Sequence, residues 1–393
     1  MKQTDRTTRL LGTGSDKWEV YSRARQRAAA GEDIIELTIG EPDVDAPSSL
    51  VDDAIGALRD GRVGYSSGRG EAALRDVLAT QYSRSIGREI SPAQVLCLPG
   101  TQTALFIAMM GVAEAGTEVI VGDPLYATYE GVVAATGAEL VSVPLDAARG
   151  FRIDASAVER AVTPATSAVL ITSPHNPTGA VLTQDDVESL CQVALRHDLW
   201  IISDEVYADF VPDDFEFYSP LAVAEAADRV IVVSSISKAF AAPGFRSGWC
   251  LGPEAFIDRV LPYAEAMLFG NQPFIADATA KGIVQGSPVV GGMIERFAAR
   301  AKMLADRLHQ ETSLRVVIPQ AGMFAMVDVS STGLSGEEFA HDLLDSVGVG
   351  VMPGSSFGET VSGWVRVSLT VDDDRFAEAC DRICAHAQAI KER

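Results

Sequence analysis

The stretch VIVVSSISKAFAAPGFR, residues 230–246, carries the features around which the chain is organised. It opens on a β-branched run, 230–233, with the composition of a buried strand. The run gives way to Ser234, Ser235 and Ser237, then to Lys238, with Arg246 eight residues further on. A lysine held just past the end of a buried strand is partly desolvated. That lowers the pKa of its ammonium and makes the neutral amine a nucleophile toward a carbonyl. The hydroxyls and Arg246 around it form a candidate anion site. A surface lysine in a serine-rich turn is the plain alternative, and a short motif alone does not separate the two.

The bulk of the chain narrows the choice. Its 393 residues suffice for two or three domains of ordinary size, and 47% hydrophobic with 22% charged residues is the balance of a globular protein. No apolar run approaches the roughly 20 residues that span a bilayer. The start, MKQTDRTTR, lacks an apolar signal core, so a cytoplasmic location is expected. Cys97, Cys191, Cys250, Cys380 and Cys384 are an odd, dispersed set that fits a reducing compartment and not a disulfide framework. A net charge of −22 repels nucleic acid and anionic membranes, so neither is expected as a partner. Asn176 and Asn271 are the only asparagines, and among the lysines only Lys238 directly follows a strand pattern.

The rest of the chain alternates. Residues 1–30 read as an arm and an amphipathic helix with Trp18 and Tyr21 on its apolar side, and 34–40 as a strand running into a Gly-Glu-Pro turn. Helical spacing covers 48–60 and 71–86, with a glycine-rich loop at 64–70 between them. From 94 to 252, short apolar runs at 95–98, 119–121, 140–143, 168–172, 200–203, 230–233 and 248–251 alternate with helical segments at 101–114, 126–136, 183–198 and 221–227. This predicts a mostly parallel seven-stranded sheet between helices, an α/β architecture. Helices follow at 253–268, 273–285 and 289–309, and 314–393 reads as β-β-α-β-β-α, a smaller α+β domain. The expected division is an arm with part of the small domain over 1–45, a large domain over 46–285 and the small C-terminal domain over 286–393.

Ligands of an open parallel sheet bind beyond the carboxyl ends of its strands, and unusual polar groups cluster there. After 95–98 come Gly100, Thr101 and Gln102, opening a helix whose first N–H groups can cup an anion, or an ordinary strand-to-helix turn. After 168–172, the turn SPHNPTG aims Asn176, whose amide can donate to a phenolate oxygen or cap the turn. After 200–203 come Asp204 and, three residues on, Tyr207; a carboxylate there serves a pyridinium N–H or caps a helix. Tyr126 is placed to stack on a flat ring or to fill the core. Arg366 interrupts an apolar strand, where a substrate carboxylate or an internal ion pair must balance it. Cys380, Cys384 and His386 in the last helix read as packing and not as a zinc site, and residues 372–374 as an acidic helix start. No metal is expected.

Taken together, these residues resemble the class I/II aminotransferases, the fold type I pyridoxal-phosphate enzymes, from Gly40 to Arg366 and beyond. The resemblance implies pyridoxal 5'-phosphate as cofactor. It implies Lys238 as Schiff-base lysine and proton shuttle, Asp204 on the ring nitrogen, Asn176 and Tyr207 on the phenolic oxygen, and Tyr126 on the ring face. Gly100, Thr101, Gln102, Ser235, Ser237 and Arg246 would hold the phosphate; Arg366, Gly40 and Asn176 would bind the substrate carboxylate. It further implies a homodimer in which Tyr65 reaches the neighbouring site, and ping-pong exchange of an amino group between an L-amino acid and a 2-oxo acid. Thr101 stands where the aspartate/prephenate branch commonly has a lysine, and the segment EAMLFGNQP at 265–273 lacks the arginine of other aspartate enzymes. Local runs such as WEVY at 18–21 and AMLFG at 266–270 are similar to bacterial arginine:pyruvate transaminases, with Glu19 or Glu265 as candidates to receive a cationic side chain. Aspartate or aromatic transamination and carbon–sulfur β-elimination on the same scaffold are the competing enzymatic readings. A cofactor-binding regulatory module is disfavoured by the acidic charge and the short N-terminal arm.

Overall fold

The computed structural model describes residues 5–10 and 15–392; the rest of the expected N-terminal arm lies outside the described residues. Seven strands form the larger sheet: Val95–Leu98 (β2), Glu118–Asp123 (β3), Glu139–Pro144 (β4), Thr166–Thr172 (β5), Trp200–Asp204 (β6), Val230–Ser235 (β7) and Gly248–Leu251 (β8), in the order β2-β8-β7-β6-β5-β3-β4. All are parallel except β8, which runs against both its neighbours. All six residues of β7 are buried, because helices cover both faces of the strand. Each buried Val or Ile there contributes about 2 kcal/mol of apolar burial. Alternation of such runs with helices is what makes parallel pairing possible, since each parallel return needs a crossover.

A second sheet takes Ile35–Leu37 (β1), Arg315–Val317 (β9), Phe324–Asp328 (β10), Val349–Pro353 (β11) and Trp364–Ser368 (β12), in the order β1-β11-β12-β10-β9. The strand predicted at 34–40 therefore joins strands more than three hundred residues away, pairing parallel with β11 as Ile35↔Val349.

Two local expectations need correcting. Residues 221–227 do not form an α-helix; they form two 3-10 segments, Pro220–Ala222 and Ala224–Arg229, because Pro220 and the Ser219 cap set a tight turn too short to propagate. The helix Ala155–Ala161 was not anticipated; at seven residues it shows little periodicity, and its signal is Asp154, whose side chain accepts from the Ser156 N–H.

Candidate active site

The carboxyl ends of β5, β6 and β7 open onto a cavity of about 210 Å³. The chain leaves β7 at Ser235 and turns tightly, with the Phe240 N–H bonded to the Ile236 carbonyl and the Ala241 N–H to that of Lys238. Ala241 (φ 47°) and Arg246 (φ 50°) both sit in the left-handed region. Each such placement costs a non-glycine residue about 1 kcal/mol or more and marks a segment held by its surroundings. Lys238 points into the cavity and its Nζ donates to the Gly40 carbonyl at 2.5 Å. Burial, and next the charge of Arg366, bring its pKa down to about 8.

Beside it lies an anion cradle. Helix Thr101–Val112 begins after Gly100, which has φ 84° and caps without a side-chain bond, so the first helical N–H groups stay available. A Cβ on Gly100 would lie 2.4 Å from Arg246 Nη2, so only glycine lets the arginine close over the turn. Ser235 and Ser237 are buried at the cavity wall, and Thr101 Oγ1 donates to Ser235 Oγ at 2.9 Å. A cation, three hydroxyls and a helix N-terminus form a donor set for a phosphate.

Opposite the cradle stands Asp204, 5% exposed. Its Oδ1 accepts the Val206 N–H at 3.2 Å and its Oδ2 accepts the Tyr129 hydroxyl at 2.9 Å. Burial pushes its carboxyl up to about 6, against the lowering effect of those two bonds. No α-helix follows it, only the short segment Ala208–Phe210, so Asp204 is not a helix cap. Tyr207 is buried, and burial pushes its phenol well up.

Arg366 lies on β12, 1% exposed. Among the described residues no carboxylate pairs with it, which overturns the internal ion pair. Its Nη1 donates to Asn176 Oδ1 at 2.9 Å and its Nη2 to the Thr38 carbonyl at 2.6 Å. Its guanidinium lies between Phe324 (3.9 Å to the ring centre) and Phe357 (4.3 Å). Its Nε has no partner among the described residues. Burial brings its pKa down to about 10, so it stays cationic at neutral pH. Because Asn176 gives its oxygen to Arg366, its Nδ2 is left to donate into the cavity. Its neighbour His175 is held neutral, its pKa pushed to about 4 by burial.

Of the expected residues, Gly40, Thr101, Gln102, Tyr126, Asn176, Asp204, Tyr207, Ser235, Ser237, Lys238, Arg246 and Arg366 line this one cavity, with Gly100 beneath the arginine. Tyr65 is not among them. It is 89% exposed and meets Phe269 edge-to-face at 5.3 Å, in a separate groove. Glu19 and Glu265 do not line the cavity either; Glu265 packs against the 64–70 loop beside Gly68. Cys380 and Cys384 are buried in the last helix, where burial raises their thiols to about 12 and about 11. Among the residues not anticipated at the site are Trp18, Tyr129, Thr172 and Phe324. Trp18 was expected on the apolar side of a helix; it lines the cavity, and the neighbouring Lys17 is bonded to Glu130 Oε2 at 2.6 Å.

The family described as aminotransferase class I and II matches residues 32–383. The chain belongs to the class I and II aminotransferases. It is 39% identical to the arginine–pyruvate transaminase AruH of Pseudomonas aeruginosa, over 99% of both chains. It is 33% identical to aromatic-amino-acid aminotransferase 2 of Thermococcus litoralis, over 94% of this chain and 97% of that one. The aspartate aminotransferase of Thermus thermophilus with maleate superposes with a TM-score of 0.93 at 29% identity, covering 98% of this chain and all of the other. Aminotransferases of this class work with pyridoxal phosphate, and the cavity suits it: an anion cradle, a lysine, an inward amide and a buried carboxylate sit around a space large enough for one ring. This aminotransferase moves amino groups from amino acids to 2-oxo acids. No helix among its described residues is long and apolar enough to cross a membrane.

Proposed function

We propose that this aminotransferase takes a non-dicarboxylic L-amino acid, L-arginine foremost, and delivers its amino group to pyruvate by ping-pong exchange. One observation carries the exclusion of dicarboxylates. Among the described residues the cations lining the cavity are Lys238, Arg246 and Arg366, and the chemistry employs all three. Lys238 is the covalent anchor and proton carrier, Arg246 serves the phosphate and Arg366 the α-carboxylate. Thr101, where a lysine would meet a second carboxylate, is turned instead to Ser235. The likeness to an arginine–pyruvate transaminase supports arginine as donor. The wall of Trp18, Tyr126 and Phe324 supports an aromatic donor as the second reading.

Bound pyridoxal phosphate supplies an aldehyde for the amino group and a ring that accepts the electron pair of the Cα–H bond. The chain's residues do the rest. Gly100, Thr101, Gln102, Ser235, Ser237 and Arg246 hold the phosphate, and Tyr126 covers the ring face. Asp204 holds a proton on the ring nitrogen, while Asn176 Nδ2 and the Tyr207 hydroxyl hold the phenolic oxygen. Arg366, Asn176 and the Gly40 backbone orient the α-carboxylate so that the Cα–H bond faces Lys238 Nζ. With the cofactor bound, that amine, its pKa lowered toward neutrality, would take the Cα proton and deliver it to the former aldehyde carbon, two atoms away across the nitrogen.

The test is a half-reaction screen with single amino acids and no oxo acid. Arginine or an aromatic amino acid should bleach the bound cofactor and release one equivalent of 2-oxo acid per site. Aspartate as the fastest donor refutes the reading, and continuous release of ammonia would assign β-elimination instead.

We further infer that the working form is a homodimer with Tyr65 reaching the neighbouring cavity. Supporting this, Tyr65 and Phe269 are 89% and 65% exposed, and beside them buried Asn271 has both amide atoms, and Ser66 its hydroxyl, without a partner among the described residues. Sedimentation at the mass of a single 41.7 kDa chain would refute it. The division at 45/46 and 285/286 is supported by β1 joining the smaller sheet and by helix Val290–Glu311 packing on β9. Limited proteolysis that cuts first within 46–285 counts against it. The cytoplasmic location is supported by five unpaired, buried cysteines, and export of the intact chain by its own cell excludes it.

A further inference from the structure

We propose that Tyr129 is a positioning residue for the cofactor ring: one hydrogen bond to Asp204 and one edge-to-face contact with Tyr126 let it fix both groups that grip the ring. The proposal rests on the reading of Asp204 and Tyr126 given above. Tyr129 is 1% exposed and occupies the first turn of helix Thr128–Thr136. Its ring meets that of Tyr126 at 5.6 Å and 87°, a geometry that holds the second ring by its edge. Its hydroxyl lies 2.9 Å from Asp204 Oδ2 and 2.5 Å from Thr172 Oγ1. Thr172 is the cross-strand partner of Asp204 in the β5–β6 pairing.

The proton order of this chain is fixed by its end. An ionised carboxylate only accepts, so the phenol donates to Asp204 and Thr172 donates to the phenol oxygen. The other carboxylate oxygen already accepts the Val206 N–H. One bond on each oxygen restrains the carboxylate's rotation and leaves its remaining lone pairs for the cavity. A bond made to the ionised form also favours that form, which is the form a pyridinium N–H requires. The other titratable groups facing Asp204 are Lys238 from beyond β7, Tyr126 from before the helix, and Glu205 and Tyr207 after it on its own segment. Among the described residues, Tyr129 is the side chain that donates a hydrogen bond to the Asp204 carboxylate. A buried tyrosine that merely satisfies its hydroxyl would alter stability when replaced and leave the bound cofactor's properties alone.

The test uses Tyr129→Phe, which keeps the ring and removes the donor. Its dissociation constant for pyridoxal phosphate should rise roughly tenfold. The acid limb of cofactor binding, followed by absorbance, should move up by about one pH unit, because Asp204 protonates more readily without the bond. Thr172→Val, which keeps the phenol, should move both readouts in the same direction by less, and Thr172→Ser should restore them. In the Tyr129→Phe background, Thr172→Val should add nothing. Cofactor affinity and acid limb unchanged in Tyr129→Phe overturn the proposal, as do additive effects of the two substitutions. Asp204→Ala runs alongside. Full cofactor affinity there overturns the reading of Asp204 itself, whereas a loss in Asp204→Ala with none in Tyr129→Phe overturns only the role of Tyr129.

Discussion

Replacing Arg366 by lysine keeps a positive charge in place and removes the guanidinium fork. Arg366 spends Nη1 on Asn176 and Nη2 on the Thr38 carbonyl, and its flat face on Phe324 and Phe357. A lysine ammonium reaching the same point is a compact charge that cannot stack between two rings and bond two fixed acceptors while presenting a flat edge to a carboxylate. The loss is about one charge-assisted bond, 1.5–3 kcal/mol, plus roughly 1 kcal/mol of ring contact. Near 3 kcal/mol, kcat/KM falls by roughly 100-fold. Both substrates carry the α-carboxylate, so the two half-reactions, each followed by cofactor absorbance, should weaken alike. The burden should fall mainly on KM, because the carboxylate is bound in the ground state as well as in the transition state. The cofactor dissociation constant is the internal control and should stay put. A variant in which the amino-acid half-reaction suffers while the oxo-acid half-reaction does not refutes the assignment. Loosened cofactor with an unchanged KM refutes it too.

Two further outcomes follow from the geometry. Attack by Lys238 on the aldehyde needs its neutral amine, and a pKa lowered from 10.5 to about 8 leaves roughly one amine in ten neutral at pH 7, against a few in ten thousand for a free lysine. Because the shift is downward, the rate of cofactor capture by the apoprotein should climb up to about pH 8 and then level; a flat rate from pH 6 to 9 contradicts this. Trp18→Ala removes an apolar part of the cavity wall, so KM for arginine and aromatic donors should rise roughly tenfold with alanine nearly unaffected; equal losses for all donors would make Trp18 a general structural element.

The large sheet was legible because its strands are short, β-branched and bounded by helical segments; β7 starts at Val230 as expected and runs two residues past the expected 233, to Ser235. The strand-end residues were legible for the same reason: a parallel sheet sends its chemistry to one edge, so Gly100, Asn176, Asp204 and Lys238 are collected by topology alone. What escaped lay off that rule. Tyr129 is the second residue of a helix, at helical spacing from Val132 and Val133 and so readable as core, and only the approach of Thr172 and Asp204 in space reveals its hydroxyl's partners. Trp18 reaches the cavity from a 3-10 turn, Ser15–Trp18, whose register no period predicts. The balance of Arg366 was left open because its acceptors, Asn176 and Thr38, are 190 and 328 residues away.

Thr38 leads to how the two sheets share one site. β1 ends at Leu37, and the next three carbonyls leave the strand ladder while still buried or half-buried. Backbone carbonyls in that position need partners, and they find them on β12, for the first two, and in the turn after β7, for the third. Thr38 O accepts from Arg366, Ile39 O from Ser368, and Gly40 O from Lys238. Beyond them Asp43, with only 6% of its side chain exposed, takes Arg296 at 2.8 Å and Arg300 at 2.8 Å, and Arg300 in turn holds Asp373. Residues 38–43 are therefore a splint. Their carbonyls join the arginine of the smaller sheet to the lysine of the larger one, and their far end is clamped by ion pairs on helix Val290–Glu311. A displacement of Gly40 relative to Asp204 changes the positions of Lys238 and Arg366 together, because the bonds that hold both run through three consecutive residues. The spacing between proton carrier and carboxylate anchor is thus set by a short piece of backbone, and the glycine at its tip is where a Cβ would lie 2.2 Å from the Phe324 ring beneath Arg366.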